Sequence, residues 1–132
     1  MLIEGILNPQ INSLLARVRH TNMLVIADRG FPFWPMLETV DISLVDNIPT
    51  VLQVFEAIRG NFDIGKILMA EEFIQANNAD VNNLFAAAIS LSPHEYVAHS
   101  ELKRLVPQAI GLIRTGDITQ YANMILVSGP IT

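Results

Sequence analysis

Short apolar runs alternate along the chain with stretches in which apolar residues recur every three or four positions, and Gly or Pro marks most of the boundaries. The first periodic stretch opens at Asn8-Pro9, where Asn suits an N-cap and Pro the first helical position. Ile11, Leu14, Leu15 and Val18 share one face of the helix this predicts, which runs to Arg19-His20. Met23–Ala27 is an unbroken apolar run that stops at Asp28, the pattern of a strand covered on both faces. Arg29-Gly30-Phe31-Pro32 and Trp34-Pro35 predict a loop, and Thr39–Leu44 a short strand. Pro49-Thr50 opens a second helix with Val51, Val54, Phe55 and Ile58 inward, closed by Gly60.

Lys66–Ala70 predicts another buried strand, followed by Glu71-Glu72. Asp80 is the expected cap of a helix that turns Val81, Leu84, Phe85, Ala88 and Ile89 inward. Tyr96–Ala98 predicts a short strand ending at His99, and Ser100 the cap of a short helix through Val106. Ala109–Ile113 and Asn123–Val127 are the last two strands. No helix separates them, and the Gly116-Asp117 turn predicts an antiparallel hairpin. The expected fold is α/β: three layers, a mostly parallel sheet with helices on both faces, and an antiparallel C-terminal strand pair. No repeat or linker interrupts residues 1–132, which read as a single domain.

Composition narrows the function. Apolar residues make up 51% of the chain and charged residues 16%, which excludes intrinsic disorder. So few charges on so small a domain predict a surface covered by copies of itself, a homo-oligomer. The net charge of −5, with Arg17 and Arg19 the only tight basic cluster, argues against nucleic acid as a partner. The longest apolar run, Leu84 to Ile89, is far below the roughly 18 residues of a membrane span. The start, MLIEG, lacks the basic and apolar order of a secretory signal. With no cysteine in the chain, these features fit a cytoplasmic protein. The three histidines have no ligand spacing for a metal, and no Gly-rich loop follows the first strand to hold a nucleotide, so no cofactor is expected.

Ligands of open parallel sheets bind beyond the carboxyl ends of the strands. That rule selects Asp28 and His99, with Glu71 and Glu72 in the same kind of place. His20 lies before the first strand, at the opposite end, and reaches such a pocket only through a neighbouring subunit or an unusual turn. Each residue also has a plainer reading. His20 complements a helix dipole, Asp28 closes a turn, His99 enters a helix, and His94 is a surface loop residue. Tyr121 suits an interface, and Phe31, Phe33 and Trp34 suit a loop packed on a partner. The chemistry that survives is His, carboxylate and Tyr, a set that moves protons without a cofactor.

Gly5-Ile6-Leu7-Asn8, His20-Thr21, Ile26-Ala27-Asp28, Gly30-Phe31-Pro32, His99, Ile113-Arg114-Thr115-Gly116 and Tyr121-Ala122-Asn123 together resemble, in order, the D-ribose pyranase / L-fucose mutarotase family (RbsD/FucU). The resemblance runs from Gly5 to Gly129. It implies a cofactor-free isomerase that interconverts pyranose and furanose forms of D-ribose, or in the other branch the anomers of L-fucose. It also implies a homodecamer of stacked pentamers with sites at subunit interfaces. By resemblance His20 is the general acid, while Asp28, His99, Tyr121, Asn123 and the backbone of Ala122 bind the sugar. Tyr121-Ala122-Asn123 and the Arg114-Thr115-Gly116 turn resemble the ribose branch. Arg29, where the family is usually small, and the bulky Phe31–Trp34 loop depart from that pattern. A sugar-binding or transport-accessory protein without catalysis is the alternative on the same scaffold.

Overall fold

The computed structural model describes residues 1–130. Its elements are α1 (Pro9–Arg17), β1 (Met23–Ala27), β2 (Thr39–Asp41), α2 (Val51–Arg59), β3 (Ile64–Ala70), α3 (Glu72–Ala76), α4 (Ala79–Ile89), β4 (His94–Val97), α5 (His99–Leu105), a 3-10 turn (Val106–Gln108), β5 (Gly111–Arg114) and β6 (Met124–Ser128). The six strands form one sheet in the order β2-β5-β1-β6-β3-β4. Five run in the same direction. β6 alone is antiparallel, to β1 on one side and to β3 on the other. The α/β class and the mixed sheet agree with the sequence.

Alternation along the strands sorts their side chains into two cores, because successive residues point to opposite faces. Leu24, Ile26, Ile67, Met69, Met124 and Leu126 pack under the face covered by α1, α2 and α4, with Phe55, Phe73 and Phe85. Val25, Ala27, Leu68 and Ile125 face the other layer, built from α5, the 3-10 turn and the loop side chains Phe31 and Leu37. Both faces are therefore covered, which is why the central strands read as unbroken apolar runs. At Gly111 a Cβ would stand 2.5 Å from the Leu14 side chain, so α1 can lie on β5 only because that position has none.

Several expectations need correction. β5 and β6 do not form a hairpin: β6 is threaded between β1 and β3, with β5 on the far side of β1. α1 closes at Arg17, with Val18 already extended. Asn78, not Asp80, caps α4, its side chain accepting the Val81 N–H at 3.0 Å. Leu84 does not point inward but is 61% exposed. β4 begins at His94, two residues early, and α3 was not foreseen. α5 starts at His99 rather than at a Ser100 cap. No side chain of its own N-cap residue, Ala98, closes it; Glu72 reaches over instead, accepting the His99 N–H on both carboxylate oxygens at 3.0 and 3.1 Å.

Candidate active site

Because β6 is antiparallel, its beginning lies at the same edge as the ends of β1, β3 and β4. Tyr121-Ala122-Asn123 is thereby delivered beside Asp28, which follows β1, and His99, which follows β4. A cleft of about 420 Å³ opens there, lined by Asp28, Phe31, His99, Gln120, Tyr121 and Asn123 among others. A volume of this order suits a small polar ligand. A larger cavity between α2 and α4, about 800 Å³, is lined mainly by Leu52, Leu84, Ala87, Ala88 and Leu91 and lies away from the strand ends.

Asp28 is held by its own turn. Its Oδ1 accepts the Gly30 N–H at 3.0 Å, and its backbone N–H donates to Asn123 Oδ1 at 2.7 Å. The plain reading of Asp28 as a turn residue is thus correct as far as it goes. Its carboxyl nonetheless lines the cleft. Burial raises its pKa above the ordinary value, against hydrogen bonds from Gly30, Asn123 and Phe31 that hold it down; the nearby Asp117 charge adds to the rise. Such a carboxyl binds a proton more readily than an ordinary one.

His99 sits edge-on to Tyr121, with ring centroids 4.9 Å apart at 82°, and edge-on to Phe31 at 6.1 Å and 74°. Burial is the main cause that lowers its pKa, helped by Lys103 and opposed by Glu72 and Asp28. The imidazole is therefore neutral at pH 7 and able both to give and to accept a hydrogen bond. Its Nδ1 is buried without a protein partner among the described residues. Tyr121 has φ +58°, a left-handed conformation costly for a residue with a side chain. Ala122 is buried in the core, which leaves its backbone as its only contribution.

His20 stands apart. It is exposed, on the turn before β1, and Thr21 beside it donates to the Ser128 carbonyl at 3.1 Å, near the end of β6. About six residues of extended chain separate it from Asp28, roughly 20 Å. Within one chain the structure brings together Asp28, His99, Tyr121 and Asn123 and leaves His20 at the other edge. His94 is exposed at the start of β4, its Nδ1 against the Ser92 carbonyl at 2.9 Å. Arg29, which departs from the family's usual small residue, pairs with Asp46 and does not line the cleft. Phe31 is 5% exposed and packs inward on Trp34, whereas Phe33 is 66% exposed. One contributor escaped the sequence: Gln120 lines the cleft, its only signal being its place before Tyr121. Glu72, a strand-end candidate, does not line the cleft but holds the His99 backbone N–H. No group of three metal-ligating side chains occurs among the described residues.

The match of residues 1–131 to the model of the RbsD / FucU transport protein family places this arrangement. The chain belongs to that family. A D-ribose pyranase of Geobacillus thermodenitrificans is 42% identical over 126 residues, 96% of this chain and 95% of that one. A D-ribose pyranase of Bacillus mycoides is 38% identical, with 97% of each covered. Among solved structures, Bacillus subtilis RbsD complexed with D-ribose superposes with TM-score 0.90 at 33% identity over the whole of both chains. A fucose mutarotase of Streptococcus pneumoniae, in complex with L-fucose, shares the fold at TM-score 0.77 but only 16% identity, over 95% and 94% of the two chains. The sheet with its single antiparallel strand is therefore an RbsD/FucU fold, and no helix among the described residues is long and apolar enough to cross a membrane.

Proposed function

We propose that this RbsD/FucU protein is an isomerase that interconverts the pyranose and furanose forms of D-ribose. The observation that carries the reading is the gathering of Asp28, His99, Tyr121 and Asn123 around one cleft at the carboxyl edge of the sheet. The D-ribose pyranases at 42% and 38% identity support ribose as the sugar.

Ring opening takes a proton from the anomeric hydroxyl and gives one to the ring oxygen; closure through another hydroxyl reverses the two transfers, with no net proton change. His20 is the group proposed to exchange the proton, and no cofactor or metal is called on. Asp28, His99 and Asn123 grip hydroxyls, Tyr121 offers a hydroxyl or a ring face, and the Ala122 backbone spaces the last two. Because His20 lies roughly 20 Å along the chain from Asp28, it acts in the cleft of a neighbouring copy. We accordingly propose a homodecamer with sites between subunits, in the cytoplasm. Exposed Phe33, Met36, Leu44, Val45, Ile48 and Ile118 support a surface that other copies cover.

The test is magnetisation transfer between the anomeric signals of equilibrated D-ribose and L-fucose. Accelerated pyranose–furanose exchange of ribose is expected. Acceleration with fucose alone moves the protein to the mutarotase branch. A cleft with its binding groups but no His20 in the same chain also suits sugar binding without catalysis, and binding with no acceleration of any sugar establishes that reading.

A further inference from the structure

Arg114-Thr115-Gly116 stands out in the sequence, yet none of the three lines the cleft. Two are explained by the fold. Thr115 donates from both its N–H and its Oγ1 to the Ala27 carbonyl, at 2.9 and 2.8 Å, fastening β5 to the end of β1. A Cβ on Gly116 would stand 2.3 Å from the Val45 carbonyl oxygen, so the Val45–Pro49 loop can close only over a glycine.

Arg114 is different. Arg17, Arg29, Arg59 and Arg104 each pair with a carboxylate. The Arg114 guanidinium instead donates to three main-chain carbonyls of one short loop: Asp28 and Arg29 from Nη1, both at 3.2 Å, and Pro32 from Nη2 at 3.3 Å. With the loop carbonyls drawn to that side, the Gly30 and Phe31 amides are left to bond the Asp28 carboxylate. Phe31 is thereby set inward against His99. A planar fork of fixed donors can gather several carbonyls at once; an ammonium, a point charge on a flexible stem, cannot hold them in the same geometry.

We infer that Arg114 is a positioning residue of the cleft: its guanidinium holds the Asp28–Pro32 loop so that the Asp28 carboxylate and the Phe31 ring are in place before the sugar arrives. What the cleft does with the sugar rests on the function proposed above; the clamp itself does not. Preorganisation of this kind acts on binding, because a loop already ordered loses less entropy when the ligand docks.

The experiment uses Arg114→Lys and Arg114→Gln in the full chain, with two readouts. The first is amide hydrogen exchange without sugar. Gly30 and Phe31 are expected to exchange about tenfold faster or more in both variants, with Leu24 and Ile26 in β1 unchanged. The second is ribose exchange as a function of ribose concentration. KM is expected to rise about fivefold or more with kcat within about threefold, and in an Asp28→Asn background Arg114→Lys adds nothing further to KM. Gly30 and Phe31 exchange within about twofold of the parent in both variants overturns the inference. So does a faster exchange that reaches Leu24 and Ile26, which assigns Arg114 to the fold as a whole, and so does an unchanged KM in folded protein. If the parent itself accelerates no sugar, the proposed function fails, and the amide exchange still decides whether Arg114 clamps the loop.

Discussion

The two edges of the sheet differ in what one chain completes. At the carboxyl edge, a hydrogen bond joins Asp28 to Asn123 and a ring contact joins His99 to Tyr121, and burial pushes the Asp28 pKa up and the His99 pKa down. At the opposite edge, His20 stands exposed on a turn pinned through its neighbours, Thr21 and Asn22, to Ser128. Both edges spend a left-handed conformation on a residue with a side chain, Tyr121 at φ +58° and Thr21 at φ +68°. Strain of this kind concentrates where a side chain must be aimed. On the function proposed above, the contrast means that one chain builds the binding cleft while His20 of another brings the proton transfer to it.

Substitutions that separate the edges sharpen this contrast. The largest effect is expected from His20→Ala, which should lower the ribose exchange rate by about 10²–10⁴-fold, the usual worth of a positioned proton-transfer group. Ribose affinity measured by titration, and the melting temperature, should hardly move, because His20 is exposed. Asp28→Asn should do the reverse in emphasis. Loss of a hydrogen-bonded carboxylate in a half-buried site costs about 1.5–3 kcal/mol, so ribose affinity in the same titration falls by roughly ten- to a hundredfold. Gly116→Ala touches neither edge chemically. Its added methyl meets the Val45 carbonyl oxygen, and overpacking of this kind costs about 1–3 kcal/mol, read as a lower melting temperature.

The smallest effect concerns protonation. The His99 ring should titrate below 6.5 by NMR, and Glu72→Gln should move its midpoint lower still, because the Glu72 charge opposes the effect of burial. Folding favours neutral His99, so below 6.5 the unfolded chain binds more protons than the folded one. That contribution is fully present above 6.5 and is lost as pH falls through the interval down to the folded value. A midpoint above 6.5 would contradict the described environment of the ring.

The strands and helices were legible because their periods are local. Met23–Ala27 announces a strand buried on both faces by having no polar residue, and Asn8-Pro9 and Pro49-Thr50 announce their helices by capping chemistry that the structure reproduces. The course of β6 was not legible. Gly116-Asp117 reads as a hairpin turn, but Gly116 donates to the Pro49 carbonyl at 2.9 Å and Asp117 Oδ2 accepts the Val51 N–H at 2.9 Å, at the start of α2. Those partners lie some 70 residues away, beyond any window of local pattern. Glu72 capping α5 escaped for the same reason, and Leu84 looked like a core residue because α4 carries apolar residues on more than one face. Asp28, His99, Tyr121 and Asn123 were singled out by strand-end position or by resemblance; that they share a cleft needed the antiparallel β6.

The claim that His20 of one copy serves the Asp28 cleft of another has a direct test in mixed assemblies. His20→Ala and Asp28→Asn chains are coexpressed and purified together, and ribose exchange is measured at ribose well below the parent's KM, where either chain alone keeps about a tenth of the parent's rate or less. Random assembly leaves about a quarter of the clefts with an intact Asp28 from one chain and an intact His20 from another, so activity should return to about that fraction of the parent's. If the mixture stays as inactive as its components, His20 and Asp28 work within the same chain, and the division between the two edges is wrong.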